Sequence, residues 1–349
     1  MQNNNIKLIE DIERFKDLKE EWDLLYNCAL YPVFQSFSFN YAAWQFQLSE
    51  SKKNQLKIVV IFNDNQLVAI FPFYLDSKKC LRFIADIHVD FCDCLTNNTL
   101  IDFQDVYFFL EKRIGFKSIR LINIVEDSNI YTSLTRFNFK NKLFLSSTEY
   151  STLYIEKGEF PYNVPSYRSH QKHRINKAAK KHCLKEHVLL TFPNDAFPES
   201  DLIRLRDIMI LGGIRDDNFL DNNFLLFIRK LYNSNLMMLG CLKHEGQIQA
   251  INLVLKRLDG ELLFWIDLFN QEQMINIANY INLLQKTSIE DNARINFGRG
   301  RYFYKVSNFA PCFKQLYSVY LFPNSFSKMS FIIFEQFRQI LRLIYKKIR

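Results

Sequence analysis

Glycine and proline are scarce in this sequence, at 9 and 8 of 349 residues, which excludes collagen-like, elastic and linker-dominated architectures. No apolar run approaches the roughly 18 residues that a membrane-spanning helix needs. The stretch Met1 to Lys7 is polar where a signal peptide would be apolar. A soluble, cytoplasmic protein is the expectation. Cysteine is thinly spread: Cys28, Cys80, Cys92, Cys94, Cys183, Cys241 and Cys312 are an odd number over a long chain. That pattern does not fit the disulfide framework of a small secreted domain and points to reduced thiols. Also missing are a Gly-Lys-Ser/Thr phosphate loop, a Gly-x-Ser-x-Gly elbow and a dinucleotide fingerprint.

What is present is apolar and aromatic material, 48% and 15% of the chain, enough for a large core divided between two domains. Charged residues, at 23%, exclude wholesale disorder. The formal charge is +8, and its location matters more than its size. Between Pro165 and His187 stand Arg168, Lys172, Arg174, Lys177, Lys180, Lys181 and Lys185 against Glu186, seven cations to one acid and a local net of +6. Such a segment suits an anionic partner. His170 and His173 share one face of it, but no Glu or Cys partner completes a metal set, so no metal is expected.

Hydrophobic spacing gives the plan. Leu8, Ile12, Phe15, Leu18, Trp22 and Leu25 recur at three and four residues, predicting an amphipathic helix over 8–30. Two apolar runs, 56–62 and 66–75, flank Asn63-Asp64-Asn65, which predicts an antiparallel hairpin. A helix is expected over 103–114 and strands over 117–124 and 143–155. The second half repeats the plan with a basic helix (166–186) docked by Ile175, Ala178, Ala179 and Cys183, and an apolar helix (200–211). Strands at 236–243, 247–257 and 261–269 follow, turning at Glu245-Gly246 and Asp259-Gly260, then a helix (273–291) and a strand (294–297). Gln66-Leu67-Val68-Ala69-Ile70 and Gln247-Ile248-Gln249-Ala250-Ile251 each follow the turn of their hairpin, which suggests a duplicated α+β fold. The expected boundaries are 1–155, 156–322 and a basic amphipathic C-terminal helix, 323–349. In that helix Phe331, Phe334, Phe337, Leu341 and Ile344 alternate with Arg338, Arg342, Lys346 and Lys347. Peripheral contact with the inner face of a membrane is one expectation for it, and docking on the protein the other.

Several phrases, taken in order, resemble the cellulose-biosynthesis-type acetyltransferases of the GNAT superfamily. They are Trp22, Phe34-Gln35-Ser36 and Trp44; Leu81-Arg82-Phe83-Ile84 with Asp90-Phe91 and Asp93; the basic helix Arg168 to Lys181; and Phe297-Gly298-Arg299-Gly300 followed by Tyr304-Lys305. The resemblance covers about residues 8–322. It implies two tandem GNAT-like domains, each a mixed, mostly antiparallel sheet with packed helices, related to the Fem-type aminoacyl ligases. The implied activity is N-acyl transfer from acetyl-CoA or another acyl-CoA to an amine, on a sugar nucleotide or a lipid-linked sugar of bacterial surface polysaccharide. One departure stands out: the stretch Phe269 to Ala278, where a glycine-bearing loop would approach the CoA pyrophosphate, has no glycine. An aminoacyl transferase using charged tRNA, and a non-catalytic scaffold of a polysaccharide synthase complex, are the rival readings.

Acyl transfer needs a base for the amine, donors for the oxyanion and a proton for the leaving group. Asp267, between apolar neighbours on the strand 261–269, is the candidate base, with Tyr304 as proton donor. Arg299, between two glycines, is the candidate guanidinium for a carboxylate or phosphate. The donor arm is expected along Trp265, Ile266, Leu268 and Phe269, and the acceptor's anionic part at Arg168, Lys172, Arg174 and Lys305.

Overall fold

A computed structural model describes residues 4–28, 31–84, 86, 88–97, 101–136, 142–156, 168–257, 260–286, 294–309 and 312–348. The elements run β1 (Asn4–Ile9), α1 (Ile12–Asp17), α2 (Lys19–Asn27), α3 (Phe37–Ala43), β2 (Gln55–Asn63), β3 (Gln66–Leu75), β4 (Cys80–Phe83), β5 (Leu95–Thr96) and α4 (Phe103–Ile114). Then come β6 (Ser118–Val125), α5 (Asn129–Thr135), β7 (Leu143–Glu156), α6 (Ser169–Lys181), β8 (Glu186–Thr191), α7 (Glu199–Leu211), α8 (Asn222–Asn233), β9 (Met237–His244) and β10 (Gln247–Lys256). The chain finishes with β11 (Leu262–Phe269), α9 (Ile275–Lys286), β12 (Arg294–Arg299), α10 (Phe303–Phe309), β13 (Cys312–Leu321) and α11 (Ser325–Ile348). The expected start of the basic helix at 166, the end of the later helix at 291 and Asp259 of the second turn lie outside the described residues.

These elements form two compact units, and neither is one stretch of sequence. The first holds Met1–Leu25, Ser51–Thr148 and Tyr317–Arg349; the second holds Tyr26–Glu50 and Glu149–Leu316. In the first unit the strand order is β1-β2-β3-β4-β6, antiparallel except for β4 and β6, which run parallel. Parallel neighbours need a crossover, and α4 lies between them in the chain. It begins at Asp102, whose carboxylate accepts from Gln104 N at 2.9 Å, and stops at the left-handed Gly115. Its apolar stripe, Phe103, Val106, Tyr107 and Leu110, is fully buried. In the second unit the order is β7-β12-β11-β10-β9-β8; β11 and β12 are parallel and the other pairings antiparallel.

The two units repeat one plan in fixed register. β10 is β3 displaced by 181 residues at both ends, 66 to 247 and 75 to 256. The hairpin turns keep the displacement: Asp64 and Asn65 have positive φ in one, Glu245 and Gly246 in the other, the backbone a two-residue reversal needs. So does a β-bulge. Phe62 pairs Leu67 and Ile61 pairs Ala69, leaving Val68 over; Lys243 pairs Ile248 and Leu242 pairs Ala250, leaving Gln249 over. A shared extra residue at the same step of both ladders is a far narrower coincidence than the short phrase visible in the sequence.

The structure departs from the hydrophobic spacing at the start of the chain. Leu8 belongs to β1, which pairs β2 with Ile6 opposite Ile61. The helix begins only after Asp11, whose carboxylate accepts from Arg14 N at 2.8 Å. β1, β4, β5, β8, α3, α5, α8, α10 and β13 had no counterpart among the expected elements. No helix among the described residues is long and apolar enough to cross a membrane.

A buried carboxylate ties the first unit together. Asp93 accepts from the backbone N–H groups of Cys94 and Ile130 at 2.8 Å and of Asn129 at 3.1 Å, at the start of α5. Burial pushes its carboxyl up to about 6 in spite of those three hydrogen bonds. A raised carboxyl favours the folded state at low pH, and that advantage is lost as pH rises through the folded value. Stability is therefore expected to fall by about 3 kcal/mol between about pH 4 and pH 6 relative to Asp93→Asn. Urea titrations of both proteins across that window check it; parallel pH profiles would refute it.

Candidate active site

The middle of the second unit's sheet is apolar on the side that faces α6, α9 and α10. Ile175 and Ala178 of α6, Phe264 of β11, Tyr280 and Ile281 of α9, Phe297 of β12 and Phe309 share one core cluster. Into it β11 directs a carboxylate. Asp267 is 8% exposed and lies opposite Asn252 of β10, whose Nδ2 donates to Oδ1 at 2.9 Å. The Tyr280 hydroxyl donates to Oδ2. The Tyr304 hydroxyl stands 3.5 Å from the same oxygen. The Tyr280 ring is fixed edge-on against Phe264, Phe297 and Phe309 at centroid distances of 4.6, 6.1 and 5.7 Å.

The electrostatics follow from burial. Burial and the adjacent carboxylate hold both tyrosines well above the ordinary phenol value, so they stay protonated as donors; Arg215 partly opposes this at Tyr304. Tyr280 is 1% exposed, whereas Tyr304 is only half-buried. Tyr304 is thus the member through which Asp267 meets the surface. Among the described residues the other polar atom of the Asn252 side chain, its buried Oδ1, accepts no hydrogen bond.

A bulge sets the direction of these side chains. Leu253 pairs Ile266 but Val254 pairs Phe264, so Trp265 is the extra residue. Strict alternation would put Phe264 and Asp267, three apart, on opposite faces; the bulge puts both toward α9. Trp265 instead meets Phe34, Phe39, Phe224 and Phe227 at 5.7–6.2 Å, toward α3 and α8. β11 and β12 pair only at Leu262 with Ile295 and Leu263 with Asn296. On its other side β12 pairs β7 from Arg294 opposite Glu156 to Arg299 opposite Thr152, so among the described residues the two parallel strands are joined only at their starts.

The other expected site residues fall in distinct places. Asp267 and Tyr304 come together. Arg299 ends β12, half-buried, between Gly298 and Gly300, both at positive φ; the Tyr302 ring lies where a Gly300 side chain would be. Lys305 is buried, and its ammonium donates to the carbonyls of Phe297 and, at 3.2 Å, of Arg299. Leu268 is buried and Phe269 packs on the core cluster. Arg168, the residue before α6, and Lys172 are exposed and Arg174 is half-buried; α6 packs against α9 and α10. The helix docks through Gln171, Ile175, Ala178 and His182, not through the expected Cys183, which is exposed.

The far end of the basic segment is occupied by the chain itself. Lys185 donates to Glu272 Oε1 at 3.1 Å, His182 Nδ1 lies 3.7 Å from Oε2, and Lys181 reaches Gln273 at 3.3 Å. Burial pushes the Glu272 carboxyl up, but hydrogen bonds from Asn270 and Lys185 outweigh it and leave the group below its ordinary value. The glycine-free loop before α9 is therefore clamped to the basic segment by a carboxylate, with Met274 at a φ of 66°.

The repeat offers an internal control. The residue 181 before Asp267 is Asp86, also buried. It pairs with Arg82 at 2.9 Å, and Arg120, opposite Arg82 on β6, lies close enough to act on it. The corresponding positions in the second unit are Leu263 and Asn296, opposite each other on β11 and β12. One unit neutralises its carboxylate with arginine; the other surrounds it with uncharged donors. Sequence reasoning missed Asn252, Tyr280 and Arg215. Asn252 and Tyr280 are polar residues within otherwise apolar strand and helix patterns, the signal that was available; Arg215 lies between α7 and α8 and had none.

Lys305→Met is expected to lower stability by about 1–3 kcal/mol, because the buried Phe297 carbonyl and the part-buried Arg299 carbonyl lose their donor. Equal urea midpoints for variant and parent would contradict that.

No protein-family model matches the sequence, and no curated protein does. Among solved structures, a conserved protein of unknown function from Bacteroides thetaiotaomicron is similar over 91% of this chain and 100% of its own, at 12% identity and TM-score 0.58. L-PGS from Bacillus licheniformis is similar over 89% and 92%, at 12% identity and TM-score 0.59. The C-terminal domain of a candidate lysylphosphatidylglycerol synthetase from Agrobacterium fabrum covers 88% and 92%, at 12% identity and TM-score 0.56. At that identity the likeness is one of fold alone, and the fold is α+β, with two units that repeat one plan of a mixed, mostly antiparallel sheet and packed helices.

Proposed function

We propose that the chain is an N-acyltransferase whose chemistry resides in the second unit. The observation that carries this reading is Asp267, a buried carboxylate held by neutral donors alone among the hydrogen bonds described, with the half-buried Tyr304 beside it. In the reaction an amine nitrogen attacks the acyl carbon, the C–N bond forms and the bond to the leaving group breaks. The proton lost by nitrogen goes to Asp267 Oδ2, and Tyr304 supplies one to the leaving group and recovers it from Asp267. Both residues end as they began. Asn252 Oδ1 is an acceptor available to hold the incoming N–H.

The resemblance to cellulose-biosynthesis-type acetyltransferases supports an amino sugar, nucleotide-activated or lipid-linked, as acceptor. An acyl-CoA supplies an activated acyl group and a thiolate leaving group. The loop Asn270–Met274 fits its pyrophosphate poorly, since it has no glycine and the Glu272 carboxylate already holds Lys185. That observation favours a second reading, aminoacyl transfer from charged tRNA, with the exposed cations Arg168, just before α6, and Lys172 on α6 meeting phosphates.

Purified protein supplied with acyl-CoA donors and amino-sugar nucleotides is expected to release free thiol. Asp267→Asn should cut turnover at least about a hundredfold, and Tyr304→Phe, a smaller perturbation, at least about tenfold. No thiol release with any donor would overturn the CoA reading. Salt-sensitive binding of charged tRNA with transfer of its aminoacyl group would establish the second.

A further inference from the structure

We propose that α11 docks on an anionic lipid surface. Within its described side chains five large apolar residues are exposed: Phe326, at 81%, with Met329, Ile333, Phe334 and Phe337. Phe326, Met329, Ile333 and Phe337 follow at steps of three and four, so they lie along one side of the helix, with Phe334 at its edge. The opposite side is already taken. Phe331 packs against Phe144, Tyr320 and Phe322 of the first unit, at centroid distances of 5.6, 4.6 and 5.2 Å. α11 is therefore apolar toward its own unit and apolar again toward the outside.

Single exposed apolar residues need no explanation, but five along one side of three turns form a contiguous patch, which marks an interaction surface. Charge selects its occupant. From Ser325 to Arg349 the sequence has Lys328, Arg338, Arg342, Lys346, Lys347 and Arg349 against Glu335, six cations to one acid and a net of +5. The sequence also keeps apolar residues at the same spacing, Ile340, Ile344 and Ile348. An apolar stripe within a cationic segment matches the boundary between acyl chains and anionic headgroups. A second copy of this chain would bring two such segments together against their repulsion. Since no described helix is able to cross a membrane, α11 lies in the interface and does not span it.

The test uses the full chain and vesicles of phosphatidylglycerol mixed with phosphatidylcholine, against phosphatidylcholine alone, in co-sedimentation at about 0.1 M and about 0.5 M salt. The expected result is binding at least about tenfold tighter to the anionic vesicles, weakened at the higher salt. The triple variant Phe326→Ser, Phe334→Ser, Phe337→Ser should bind at least about tenfold more weakly with an unchanged thermal midpoint. The single Phe337→Asp variant repeats the comparison with less disturbance. Unchanged vesicle binding by both variants would overturn the proposal. So would absence of binding to either vesicle, or a solution dimer that the triple variant dissolves while the parent ignores lipid.

Discussion

A carboxylate can leave water only if something replaces the water, and at Asp267 the described replacement is made of neutral donors. This constraint organises the middle of the second unit. Asn252 must sit directly across the ladder, Tyr280 must be held by a box of aromatic rings, and α10 must bring Tyr304 to the exposed side. α10 is anchored in turn by Lys305, whose ammonium donates to the carbonyls of Phe297 and Arg299 at the end of β12. Asp86, buried in the first unit, is held differently: Arg82 pairs with it at 2.9 Å.

Much of this was legible beforehand, for physical reasons. The hairpins were legible because Asn, Asp and Gly at the turns tolerate the left-handed backbone, and the flanking runs were apolar enough to be buried on both faces. Asp267 stood out as a lone charge in an apolar strand. The bulge at Trp265 was not legible, because one extra residue in a ladder leaves no compositional trace; without it, alternation misassigns every face upstream of Ile266. Tyr280 was hidden because a tyrosine on a buried helix stripe looks like packing. Lys305 looked like a binding cation because sequence cannot tell an ammonium aimed at a ligand from one aimed at backbone carbonyls. In α6 the true docking stripe ends in His182, a polar residue that Gln273 satisfies through its carbonyl at 3.0 Å, so hydropathy alone chose Cys183.

The repeat carries its own argument about division of labour. Strands, turn and bulge keep a displacement of 181 residues from Gln66 and Gln247 onward, so the scaffold has been held while the side chains at the strand ends have changed. Arg82 and Arg120 against Leu263 and Asn296 is the decisive difference.

The way the two units share the chain bears on synthesis. The first unit takes in Tyr317–Arg349, which are synthesised after every stretch of the second unit, Tyr26–Glu50 and Glu149–Leu316. Vectorial production therefore completes the downstream half first and leaves the upstream half waiting for its final strand residues and helix, an order opposite to that of ordinary tandem domains. A break introduced midway would yield no self-sufficient fragment from the N-terminal side, since it would lack α11 and the end of β13.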